Sequence, residues 1–200
     1  MPVPAPNLYP PFNIVRLSHV EYGVRDLAAS RAFWVDTLGL QVSYEDDSRI
    51  YLRAMEERGH HCVVLAKAET PDVRVLGFKL WDEAALDTAS EWFAARGLPV
   101  DWVERPHMGR TLRTADPMGI PLEFYVKMDR LAPIHQQYKL YKGGTPLRID
   151  HFNMFGPEVD AAAVTAHAEA HDQAKLRAAA SAAVEEEEGG AAGPAVDSID

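Results

Sequence analysis

The sequence carries the same order of structural signals twice, and this internal repeat restricts the fold more than any other feature. Asp26 is a good helix N-cap, and Gly39 is placed to close the helix that follows. Asp82 and Gly97 delimit a second helix in the same way, and Asp82 stands 56 positions after Asp26. Two similar units that each bury one face predict a single domain made by pairing them.

Each copy has the pattern of one strand, one helix and three further strands. The first predicted helix has its apolar stripe at Leu27, Trp34 and Leu38, and the second has it at Leu86, Ala89 and Phe93. Alternating apolar residues between polar turns predict strands at 16–24, 40–44, 49–55, 61–66, 73–81, 99–103, 110–114 and 121–126. The predicted fold class is therefore α+β, with paired βαβββ modules.

Composition divides the rest of the chain. Residues 1–13 are rich in proline and predict an extended N-terminal arm, 14–127 hold the two modules, and 128–147 form a linker. Arg148-Ile-Asp-His151 repeats the form of Arg16-Leu-Ser-His19, so 148–157 is predicted to be the first strand of an incomplete third module. The Ala- and Glu-rich residues 158–200 predict a marginal helix followed by disorder.

Charge and cysteine content limit the function classes. The net charge is −10, and ten acids against Lys175 and Arg177 place most of it in residues 157–200. The sequence has no basic cluster of the kind that nucleic-acid binding needs, and no apolar run of the ~20 residues that a membrane span needs. A single cysteine, Cys62, fits a reducing cytoplasm. We therefore expect a cytoplasmic protein that binds neither nucleic acid nor membrane.

Three residues have the side chains of an open non-haem iron site. His19 and His151 lie on equivalent predicted first strands, and Glu123 lies on the last strand of the second copy. Two histidines and one carboxylate leave coordination positions free for substrate and oxygen. In the register set by Asp26 and Asp82, however, His19 corresponds to Val75. His19 and Glu123 are therefore expected to be polar residues of a vestigial site that lacks its third ligand.

Several motifs in the correct order carry a family resemblance. They lie at 26–40, 50–53, 60–65, at Asp116-Pro-Met-Gly119 within 116–125, and at 147–153. Over 14–153 the chain resembles the vicinal oxygen chelate superfamily, with its glyoxalase-like fold. Within that superfamily it is most similar to the type I extradiol ring-cleavage dioxygenases that act on homoprotocatechuate (3,4-dihydroxyphenylacetate).

The resemblance implies an enzyme with four βαβββ modules, of which the C-terminal pair binds Fe(II) or Mn(II). His151 matches the first metal-ligating histidine, and Asn153 matches a residue near bound substrate. The family takes the other histidine and the glutamate from its fourth module, which this sequence lacks. The implied reaction is extradiol cleavage of a catechol-type substrate by O2. The chain is expected to be catalytically incomplete, truncated or frameshifted after about residue 159.

Other aromatic and imidazole side chains have simpler interpretations. His60 and His61 are adjacent, so on a strand they would point to opposite faces and would not chelate together. His167 and His171 have helical spacing that can bind metal, but a solvated helix face is the better interpretation. The four tryptophans are expected to be core or interface residues, namely Trp34, Trp81, Trp92 and Trp102.

Three functions stay open at this point. The first is the extradiol dioxygenase, the second is a non-catalytic fragment or pseudoenzyme, and the third is a small-molecule binding protein of the same superfamily. The third gives no role to the partial repeat that begins at Arg148. An N-terminal pair without its catalytic partner would expose an apolar face, which predicts a homo-oligomer or poor solubility.

Overall fold

A computed structural model describes residues 9–116 and 119–151 of the chain. The first module consists of β1 (Ile14–Val24), α1 (Leu27–Arg31), a π-helical segment (Ala32–Thr37), β2 (Gln41–Glu45), β3 (Arg49–Arg53) and β4 (Val63–Lys67). The second consists of β5 (Asp72–Leu80), α2 (Glu83–Ala94), β6 (Asp101–Val103), β7 (Thr111–Ala115) and β8 (Pro121–Tyr125). A 3-10 turn follows at Tyr138–Leu140. The predicted paired βαβββ fold is confirmed.

The helix ends follow the capping residues in the sequence. The Asp26 carboxylate accepts from the Ala29 backbone N–H at 2.9 Å, and Asp82 accepts from Ala85 at 2.8 Å. Gly39 and Gly97 have φ of 87° and 68°, the left-handed conformation that favours glycine. The first helix differs from the prediction after Arg31. There the Leu38 N–H donates to the Phe33 carbonyl, which widens the last turns into π-helix.

All eight strands form one sheet in the order β2-β3-β4-β1-β5-β8-β7-β6. The first strand of each module runs parallel to the last strand of the same module, and β1 meets β5 in antiparallel orientation. At this junction His19 pairs with Gly77, Val20 with Leu76, and Glu21 with Val75. An approximate two-fold axis at Val20 therefore equates His19 with Val75, as the 56-residue repeat predicts.

Each module has its own apolar core. The first is built from β1, β3 and β4 around Leu52 and Leu65, both fully buried. The second lies under α2, whose Leu86, Ala89 and Phe93 are its buried residues, as predicted. Phe78 and Leu122 pack against both cores and join them. Trp34 and Trp92 pack on these cores, whereas Trp81 is largely exposed and Trp102 partly exposed.

The predicted linker lies along the first module. Backbone N–H groups of Met55 and Glu56 donate to the carbonyls of Pro146 and Leu147 at 3.1 and 2.9 Å, and Ile134 is buried. Arg148 to His151 have no regular structure, and the rest of the predicted strand 148–157 lies outside the described residues. So do residues 1–8 of the arm and the whole 158–200 tail, with His167 and His171. Among the described residues, no helix is long and apolar enough to cross a membrane.

Candidate functional site

The fold brings His19 and Glu123 together at the centre of the sheet. His19 lies on β1 and Glu123 on β8, and both have no exposed surface. Their strands flank β5, where Gly77 pairs with His19 on one side and with Glu123 on the other. The His19 Nε2 and Glu123 Oε2 atoms are 3.5 Å apart, an ion-pair distance rather than that of a well-formed hydrogen bond.

Gly77 makes this approach possible. A Cβ atom at Gly77 would lie 2.5 Å from His19 Nε2 and closer still to Cε1 and Nδ1. The imidazole therefore fills the space that a side chain on β5 would take. Gly77 pairs with both His19 and Glu123. Because it has no side chain, the imidazole ring and the carboxylate can both lie at the centre of the sheet.

The third ligand position holds no donor. Val75, the equivalent of His19, is 1% exposed and pairs with Glu21, which is also buried. A valine side chain cannot coordinate a cation.

Guanidinium groups surround the two buried carboxylates instead. Arg105 donates to Glu21, and its Nε lies 3.3 Å from Glu123 Oε2. Arg113 donates to Glu123 Oε1 at 2.6 and 3.1 Å. Arg49 Nε lies 4.0 Å from Glu21 Oε1. These residues do not fit Fe(II) or Mn(II), because the carboxylate charge is already matched by fixed cations that would repel a metal ion.

The pKa shifts agree with an ion-pair cluster. Burial raises the pKa of Glu123, but the contacts with His19, Arg105 and Arg113 outweigh it and the net pKa is lowered. Burial lowers the pKa of Arg105, and Glu123 and Glu21 more than reverse that effect, so its pKa is raised. Glu123 and Arg105 are therefore both charged at neutral pH and stabilise each other.

His60 and His61 belong to a second buried cluster, and the prediction that they point to opposite faces is wrong. Strand β4 begins only at Val63, and the chain bends at His60, so the two Nδ1 atoms lie 3.2 Å apart. The His60 ring stacks on His107 with centroids 3.6 Å apart, and Tyr51 contacts all three imidazoles. These histidines pack as aromatic rings, a role that alternation along a strand does not predict.

Substituting His60 with glutamine is expected to reduce the loss of stability in mild acid. The pKa of His60 is lowered from 6.5 to about 4, chiefly by burial. The charge of His107 and, more weakly, that of Arg53 lower it further, whereas Asp129 opposes the shift. Between these pH values His60 is protonated in the unfolded chain and neutral in the folded chain. The free energy of unfolding therefore falls as the pH falls from 6.5 to about 4.

Thermal melts at about pH 7 and about pH 4.5 measure this effect. The unsubstituted chain should lose roughly 5 °C more than the His60→Gln variant between the two conditions. The exposed His135 provides the control, because His135→Gln should leave the pH dependence unchanged. An equal loss in the unsubstituted chain and in His60→Gln would contradict the assignment.

His151, the histidine predicted to bind the catalytic metal, is separate from both clusters. The His151 side chain is 86% exposed, and its nearest ionic neighbour is Asp150 at 3.8 Å. Asn153 lies outside the described residues. Among the residues that the structure describes, no three histidine, cysteine, aspartate or glutamate side chains are arranged to hold a metal ion.

The paired-module sheet has a counterpart among known proteins. A sequence model of the glyoxalase/bleomycin resistance protein/dioxygenase superfamily matches residues 16–124. The chain belongs to this superfamily. The matched segment begins in β1 and ends in β8, so it covers both modules.

Relatives within the superfamily are extradiol dioxygenases by name. The chain is 28% identical to the metapyrocatechase of Pseudomonas sp. strain CF600 over 74% of this chain and 52% of that protein. It is 27% identical to the manganese-dependent 2,3-dihydroxybiphenyl 1,2-dioxygenase of Geobacillus genomosp. 3, over 71% and 49%. A variant of homoprotocatechuate 2,3-dioxygenase from Brevibacterium fuscum superimposes with a TM-score of 0.75 and 35% identity, over 82% of this chain and 46% of that chain. The chain spans about half the length of the relatives it matches.

Sequence reasoning identified His19 and Glu123 but missed Glu21, Arg105 and Arg113. Glu21 could have been found, because it lies two residues after His19 on the same strand and therefore on the same face. A buried carboxylate needs a cation. Which arginine supplies the cation is not visible in the sequence, since 84 positions separate Arg105 from Glu21.

Proposed function

We propose that this chain contains the N-terminal module pair of an extradiol ring-cleavage dioxygenase that acts on a catechol-type substrate such as 3,4-dihydroxyphenylacetate. The observation that carries the proposal is the 35% identity with homoprotocatechuate 2,3-dioxygenase over a superimposable fold. The relatives with dioxygenase names extend the support to the reaction class. Fe(II) or Mn(II) and O2 are the cofactor and co-substrate of the proposed activity.

The proposed module pair has a structural role and not a catalytic one. Its sheet centre holds Arg105 and Arg113 against the carboxylates, and Val75 removes the third donor. We assign the metal-ligating role to His151 and a substrate-proximal role to Asn153. One exposed histidine does not retain iron by itself, and among the described residues no three donors are arranged to hold a metal ion. We therefore propose that the 200-residue chain is catalytically incomplete.

Turnover and metal content test the proposal together. The 200-residue chain is incubated anaerobically with Fe(II) and 3,4-dihydroxyphenylacetate, oxygen is admitted, and the yellow ring-fission product is followed by absorbance. We expect no product above an iron-only control and no stoichiometric iron or manganese after purification. Sustained turnover, or one bound metal per chain that is lost in His19→Ala, would contradict the assignment of a non-catalytic pair.

The encoding DNA supplies the positive test. Beyond codon 159 the two other reading frames are searched for the metal-ligating strands of a fourth module, of the Met-His-His and Ile-Glu-Ile types. A chain continued through those strands is expected to cleave 3,4-dihydroxyphenylacetate and to lose that activity in His151→Ala. If neither frame encodes such strands, the proposed interruption of a dioxygenase is contradicted, and a binding protein or pseudoenzyme of the superfamily becomes the better interpretation.

A further inference from the structure

A cleft of about 460 Å³ opens where β1 and β8 meet the loop before β4. Its floor is polar and buried. The Ser18 and Tyr125 hydroxyls hydrogen-bond to each other, and His61 lies beside them, with each residue at most 3% exposed. This cleft includes neither His19, Glu123 nor His151, so it is distinct from the proposed metal chemistry.

The wall of the cleft carries positive charge that the described residues do not neutralise. Four cationic side chains line it and have no ion pair with any carboxylate in the described part of the chain, namely Arg58, Lys79, Lys127 and Arg130. The two acids of the wall are already engaged. Glu57 binds Arg16 at 2.6 Å, and Glu56 lies 3.9 Å from Arg148.

Strand register concentrates this charge. Arg16 on β1 pairs directly with Lys79 on β5, and Lys79 pairs with Tyr125 on β8. Two cations opposite each other on neighbouring strands repel and destabilise the sheet. Glu57 compensates Arg16 alone, so Lys79 retains an unmatched charge beside Tyr125, its partner on β8. An anion in the cleft would remove this repulsion.

We propose that this cleft binds a small organic dianion, of the size of a single aromatic ring with two carboxylates. A volume of this order exceeds that of an inorganic ion and suits a one-ring ligand. Four unmatched cations favour two negative charges over one, because a monoanion would leave most of the repulsion in place. The Ser18 and Tyr125 hydroxyls and the His61 imidazole supply neutral hydrogen-bonding groups at the closed end.

The protonation state of the Tyr125 hydroxyl fits this role. Burial raises the pKa of Tyr125, although the hydrogen bond with Ser18 opposes the shift. The hydroxyl is therefore protonated at neutral pH and available as a donor. A concave site of this kind suits a compact anion rather than an extended polymer.

Isothermal titration calorimetry with the full 200-residue chain tests the proposal, with phthalate, inorganic phosphate and benzyl alcohol as probes. Phthalate is expected to bind, phosphate to bind at least about tenfold more weakly, and the neutral ring not to bind. Lys79→Gln and Lys127→Gln should each weaken phthalate binding about tenfold, because each removes one charge-assisted contact. Thermal melts establish that both variants fold.

Lys67 on β4 gives the matched control. It is exposed, has no ion pair among the described residues, and lies with Arg25 and Arg74 in another basic depression. Lys67→Gln should change phthalate affinity less than about twofold. The proposal is overturned if phthalate does not bind, if phosphate binds as tightly as phthalate, or if Lys67→Gln weakens binding as much as Lys79→Gln.

Discussion

Replacement of Arg105 by methionine is expected to lower the free energy of unfolding by about 3–5 kcal/mol, the cost of leaving a buried charge without its partner. Arg105 is 12% exposed and is the only described residue with ion pairs to both Glu21 and Glu123. Glu123 would keep Arg113, but Glu21 would retain only Arg49 at 4.0 Å. Urea unfolding followed by circular dichroism measures the loss.

Arg110→Met is the matched control for this substitution. Arg110 pairs with Asp87 at 2.5 Å, but both side chains are about half exposed, so water already stabilises the charges. Its loss should cost less than about 1 kcal/mol. Adding Glu21→Gln to Arg105→Met should restore part of the stability, because the unpaired charge is removed. A cost below about 1 kcal/mol for Arg105→Met would show that the cluster is hydrated.

Replacement of Gly77 by alanine is expected to destabilise the chain by about 3 kcal/mol, at the upper end of the usual cost of overpacking. The new methyl group would overlap the His19 ring. That ring cannot move aside, since His61, Tyr125 and Glu123 pack around it and none of it is exposed. Urea unfolding of the variant measures the effect.

A double-mutant cycle separates this clash from the general cost of an alanine in a strand. In a His19→Ala background the Gly77 substitution should cost about 2 kcal/mol less, because the overlapping ring is absent. Gly109→Ala is the control for backbone effects. Its nearest contact would be Lys127 Cβ at 3.3 Å, and the cost should stay below about 1 kcal/mol. Additive costs at positions 19 and 77 would contradict the packing of the His19 ring against Gly77.

The elements that the sequence predicted correctly are those whose signals are local. Asp26 and Asp82 act as helix caps because a short carboxylate reaches backbone N–H groups three residues on. The stripe of α2 is visible because helical periodicity puts its apolar residues on one face. The bend at His60 was missed for the opposite reason. Alternation assumes an extended chain, and contacts with Tyr51 and His107 hold that segment away from the strand.

The sequence by itself determined the repeat and the equivalence of His19 with Val75, from which it predicts a site without its third ligand. These conclusions need only the alignment of the two copies, which the capping residues Asp26 and Asp82 define. The tertiary structure alone decided what occupies that centre. Arg105 reaches Glu21 and Glu123 from a loop distant in sequence, and no periodicity encodes a contact between residues that only folding brings together.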